Sequence, residues 1–140
     1  MYIPFESLPD NSRVWIYQSD REFTTEEALQ IEEKGKEFVE HWTAHQQTLM
    51  AGFKIFHHIF LVLSADESHN GASGCSIDKS VHFISEIEKE FKVNLFNRLN
   101  LVYLQNEKNH IVHFSKFKEL LVQQKVNLET KIFNNLISTK

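Results

Sequence analysis

An α+β fold is predicted by three observations. Short β-branched and aromatic runs alternate with two long amphipathic stretches, the runs after the first stretch come as a pair, and no segment repeats. The order β-α-β-β-α-β over the first six elements matches the split β-α-β, or ferredoxin-like, succession. A mainly antiparallel sheet with helices on one face is therefore expected, extended by a C-terminal β-α-β. At 140 residues the chain has the size of one domain with one core, expected to span residues 1–140.

Asp10-Asn11-Ser12 is a turn cluster, and Arg13–Gln18, rich in β-branched and aromatic residues, reads as the first strand. Thr24 and Glu27 have the spacing of a capping box, which starts a helix. Ala28, Ile31, Gly35, Phe38, Val39 and Trp42 then recur three and four apart, so the helix is expected to end near His45. Residues 49–65 are densely apolar and too long for one ordinary strand. A break at His57-His58 gives a hairpin of 50–56 with 59–65; one long bent strand is the alternative.

Residues 66–74 are small and polar, the strongest loop signature in the chain, and Ser76 is expected to cap a second helix. Ile77, Val81, Ile84, Ile87 and Phe91 supply its apolar face. Residues 101–104 and 110–114 read as a second hairpin around Glu107-Lys108-Asn109. A short helix at 116–124, capped by Ser115, and a strand at 131–137 complete the chain.

With 19 acidic and 15 basic side chains the formal charge is −4, and Arg13, Arg21 and Arg98 are the only arginines. Neither fact favours a nucleic-acid partner. The longest apolar run, residues 59–63, falls far short of the roughly 20 residues that span a bilayer. Met1-Tyr2-Ile3-Pro4-Phe5-Glu6 lacks the basic and apolar regions of a secretory signal. Cys75 is the single cysteine, so neither an internal disulfide nor a zinc site built on several thiolates is expected. These readings predict a cytoplasmic protein with no membrane span and no cofactor.

At Trp42-Thr43-Ala44-His45, Asp66-Glu67, Ser73-Gly74-Cys75-Ser76-Ile77-Asp78 and Thr130-Lys131-Ile132-Phe133-Asn134-Asn135 the sequence resembles a family of small uncharacterised bacterial proteins. Its members are often labelled "ABC transporter ATPase". The resemblance covers nearly the whole chain and implies no known substrate, cofactor or reaction. The label itself requires a glycine-rich phosphate loop of the form G-x-x-x-x-G-K-[ST]. That pattern is absent. Gly74 followed by Cys75-Ser76-Ile77-Asp78 and Lys79-Ser80 is the nearest approach, but it lacks the second glycine and sets Asp78 where phosphate would sit.

The segment 66–79 nevertheless holds the best candidate site. Ser73, Gly74, Ser76 and Lys79 make an anion-friendly corner at a helix start, Cys75 is a candidate nucleophile there, and Asp78 answers the helix dipole. Asp66 and Glu67 end the strand that feeds this loop. Trp42 and His45 are the expected opposing wall, so that the best-formed polar pocket should open near Cys75. In the bland alternative Gly74 makes the turn, Ser76 caps the helix, Asp78 satisfies its dipole and Cys75 is a small buried hydrophobe. His41 and His45, four apart on one helix, have the spacing of a metal pair, although flanking positions beside the Trp42 stripe explain them as well. The leading expectation is a non-catalytic module that binds a small anionic ligand or a protein partner through residues 66–79. A small enzyme using Cys75 as nucleophile is the alternative; a structural subunit of a larger assembly, a homodimer included, is the third.

Overall fold

A computed structural model describes residues 1–123, 131–133, 135 and 137–140. Its first sheet contains β1 (Arg13–Gln18), β4 (Met50–Phe56) and β5 (Phe60–Asp66) in the order β1-β5-β4, antiparallel throughout. Between β1 and β4 in sequence come α1 (Thr25–Glu40) and a small hairpin of β2 (Thr43–Ala44) and β3 (Gln47–Thr48). In space β5 is inserted between β1 and β4, an arrangement compatible with the split β-α-β. The fold class is α+β.

Alternation along β5 explains why the sheet is covered on both sides. Leu61, Leu63 and Ala65 belong to a core with Ile31 and Val39 of α1 and with Phe83, Ile84 and Ile87 of α2 (Gly74–Phe91). Phe60 and Val62 point the other way, into a second cluster with Val14, Ile59 and Val102. Each Val, Leu, Ile or Phe side chain buried this fully contributes about 1.5–3 kcal/mol. Val102 comes from β6 (Asn100–Gln105), which forms a second sheet with β7 (Lys108–His113) and β8 (Lys131–Ile132) in the order β7-β6-β8. On its outer side Tyr103 packs with Phe117 of α3 (Phe114–Val122).

The sixth sequence element therefore does not extend the first sheet, as the full ferredoxin-like succession would have it. After α2 the chain is pinned beside the end of β1, where Asp20 N–H donates to Asn94 O and Asp20 Oδ1 accepts from Asn94 N–H. Gln18 Nε2 then donates to Asn100 O, which starts β6 on the far face. Residues 138–140 run along the free edge of β1 instead: Val14 N–H donates to Ser138 O, and Lys140 N–H to Ser12 O. The expected strand at 131–137 is observed over Lys131–Ile132, with positions 134 and 136 outside the described residues.

Several element starts and ends differ from expectation, each for a local reason. The Thr24–Glu27 capping box is present, with both reciprocal bonds. However, α1 stops at Glu40: His41 N–H and Trp42 N–H turn to the carbonyls of Phe38 and Val39, three residues back, and the helix unwinds. His45 and Gln46 then take left-handed backbone conformations (φ 51° and 62°), the tight turn that joins β2 to β3. His57 and His58 do the same (φ 55° and 56°) between β4 and β5. The second hairpin turns at Asn106-Glu107, one residue earlier than expected, and the cap of α3 is His113, whose Nδ1 accepts from Ser115 N–H. The expected end of that helix, position 124, lies outside the described residues. Among the described residues no helix is long and apolar enough to cross a membrane.

Candidate functional site

The loop between β5 and α2 is built from carboxylates that bind its own amides. Asp66 Oδ1 accepts from Ser68 N–H at 3.0 Å, and the Ser68 hydroxyl first, with this amide second, holds the Asp66 carboxyl below the usual range. Glu67 Oε2 accepts from Ala72 N–H at 2.7 Å, while its other oxygen lies 3.9 Å from Arg13 Nη1. Ser73, not Ser76, caps α2. Ser73 Oγ accepts from Ser76 N–H and Ser76 Oγ accepts from Ser73 N–H, a reciprocal capping box with serine in place of the usual glutamate. Ser76 is fully buried, and the helix begins three residues before the position that a Ser76 cap implies.

That shift re-places the residues around it. Gly74, Cys75, Asp78 and Lys79 are exposed on the first turns of α2. Cys75 is thus a surface thiol and not the small buried hydrophobe of the bland alternative. A Cβ built on Gly74 meets nothing within 4 Å, so the glycine is not there to admit a crowded neighbour.

Trp42 and His45 both lie beyond the end of α1 and go to different places. Trp42 is 1% exposed and its indole N–H donates to Ser76 O at 2.8 Å, which makes it a pillar beneath the start of α2 and not a wall over it. His45 is exposed at the tip of the β2–β3 turn. Because His41 is the C-cap of α1 and His45 lies beyond it in a hairpin, the two do not share a helix face, and the metal-pair spacing has no structural counterpart. His41 Nδ1 instead contacts Glu37 O at 3.0 Å. Among the described residues no cluster of three or more His, Cys, Asp or Glu side chains could hold a metal ion.

Sequence reasoning missed the residue that joins these parts. Asn70 Nδ2 donates to Ala44 O at 3.1 Å and to Gln47 O at 3.3 Å, clasping the strands on either side of the His45-Gln46 turn. Loop 66–73, the start of α2 and the β2–β3 hairpin are thereby bonded into one ledge. An asparagine in a polar loop carries no sign of this, since the hairpin that it clasps continues the apolar spacing of a helix.

Two open clefts are found elsewhere on the described residues. One is lined by residues including Arg21, Glu27 and Lys92, the other by residues of α1 and α2 including Phe38 and Phe83. Residues 66–79 line neither, and the amides of Ser68, Ala72, Ser73 and Ser76 donate to oxygens within the same segment. No family model, no curated protein and no solved structure matches the chain.

Proposed function

We propose that the protein is a non-catalytic interaction module, and that it engages a protein partner through the ledge formed by loop 66–73, the first turns of α2 and the β2–β3 hairpin. The observation that carries this reading is the double clasp beneath the ledge. Asn70 holds the hairpin and Trp42 holds Ser76, so exposed His45, Cys75, Asp78 and Lys79 project from a backbone fixed on both sides. A rigid, outward-facing polar surface suits a broad partner, because little ordering entropy is lost on docking. A small anionic ligand is disfavoured, since the amides of Ser68, Ala72, Ser73 and Ser76 already donate to internal oxygens.

The enzyme alternative needs an activated Cys75. The two separate in the rate of alkylation by iodoacetamide at pH 7. A non-catalytic Cys75 reacts within about threefold of the same chain unfolded in urea; an acceleration of about a hundredfold in the folded protein would overturn the reading in favour of a nucleophile.

A further inference from the structure

The open cleft between α1 and α2 has a volume of about 250 Å³, with room for one large apolar side chain. Its floor includes Phe38 and Phe83, whose rings stack with centroids 4.5 Å apart and planes 6° from parallel. Phe83 is buried, whereas Phe38 stays partly open to solvent and presents an apolar surface at the cleft.

The rim is acidic. Lys34 Nζ contacts Glu90 Oε2 at 3.2 Å between the two helices, so one rim carboxylate already holds an ammonium group. Glu86 is paired among the described residues only with His82, which is cationic only when protonated, and Glu37 enters no ion pair among them. The excess extends beyond the cleft: α1 and α2 together carry ten acidic side chains against four lysines, while residues 92–140 carry eight basic against three acidic. Negative charge is concentrated on the helix layer, which repels nucleic acid and anionic lipid and attracts cationic protein surfaces.

We propose that this cleft docks a cationic amphipathic segment of a partner protein. A leucine or phenylalanine side chain of the segment packs on Phe38 and Phe83, and its lysines or arginines meet Glu37 and Glu86, as Lys34 meets Glu90 within the chain. The cleft is separate from the ledge at residues 66–79, and the inference does not depend on that reading.

The test uses a fluorescent helical peptide of leucine and lysine, about 14 residues or four turns long, and an isomer of the same composition with its apolar stripe scrambled. Anisotropy is read at near-physiological salt, where nonspecific charge attraction is screened beyond about 8 Å. The amphipathic peptide is expected to bind at least about tenfold more tightly than the isomer. The double variant Glu37→Lys/Glu86→Lys should lose at least about tenfold in affinity, and the control Asp10→Lys/Glu107→Lys should lose less than about threefold. All four changes lie on exposed residues, and circular dichroism confirms that each variant folds. Equal binding of the two isomers, equal loss in both variants, or no binding would overturn the proposal. So would self-association of the wild type that Glu37→Lys/Glu86→Lys abolishes, which would assign the cleft to a second copy of the chain.

Discussion

The indole N–H of Trp42 donates to the backbone oxygen of Ser76 across 34 positions of sequence, at 2.8 Å and away from solvent. One side chain thus ties the end of α1 to the start of α2, and with it the hairpin to the loop. Trp42→Phe should destabilise the protein by about 1–3 kcal/mol, leaving a buried carbonyl with one partner fewer. Trp42→Ala, which also leaves a cavity, should cost about 3–5 kcal/mol. Urea unfolding measures both. Hydrogen exchange should show the added opening concentrated at residues 73–80 in the phenylalanine variant.

Gly35 and Gly74 should respond in opposite ways to alanine. A Cβ on Gly35 would overlap the Phe53 ring, so the ring or α1 would have to shift. Gly35→Ala is expected to destabilise by about 1–3 kcal/mol or more. Gly74→Ala meets open space on a helix, and should be neutral or stabilise by up to about 1 kcal/mol. Thermal melts of the two variants check the contrast.

The turns at His45-Gln46 and His57-His58 hold four non-glycine residues in left-handed conformations, each disfavoured by roughly 1 kcal/mol. Gln46→Gly should therefore raise stability by about 1 kcal/mol in urea titration, since glycine adopts that conformation freely. Such strain is tolerated at the second turn because its carbonyls are used: Phe23 N–H donates to His58 O and Ser19 N–H to Ile59 O.

Glu27 makes acid sensitivity local. Arg21 Nη1 and Nη2 donate to its two oxygens at 2.8 and 2.7 Å, and Thr24 N–H adds a third bond. These contacts, Arg21 first, hold the Glu27 carboxyl down at about 2. Its folded pKa is below its unfolded value of about 4.3, so its stabilisation is complete above that value and fades as pH falls towards about 2. Glu27→Gln should lower the melting temperature at pH 7, and the gap between variant and wild type should narrow steadily from pH 5 to pH 2.

Much of the fold was legible because its signals are local. β1 stands at Arg13–Gln18 as expected, the Thr24–Glu27 box starts α1, and the His57-His58 break divides β4 from β5. What misled was coincidence of period. Trp42 continues the three-four spacing of α1 although the helix has ended, because its ring is directed by Ser76 and not by its own turn. In the same way Ser76 and Ser80 lie on the buried stripe of α2, while the more apolar Val81 is 40% exposed. The second sheet could not be foreseen from order alone, since contacts such as Asp20 with Asn94 divert the chain from the edge of β1. At the candidate site the loop was legible from composition, but the Asn70 clasp was not, because it depends on a hairpin without an Asn-Gly signal.

The ledge as a partner interface is tested most directly by photo-crosslinking from Cys75, the single cysteine and an exposed one. A photoreactive maleimide is placed on Cys75, or on the introduced thiol of a Cys75→Ser/Glu107→Cys variant as the remote control, and each protein is irradiated in extract of the cells that produce it. The account predicts one discrete adduct from the Cys75 label, competed away by unlabelled protein, weakened by Asn70→Ala and absent from the control. No adduct from Cys75, or the same adducts from both positions, would contradict it.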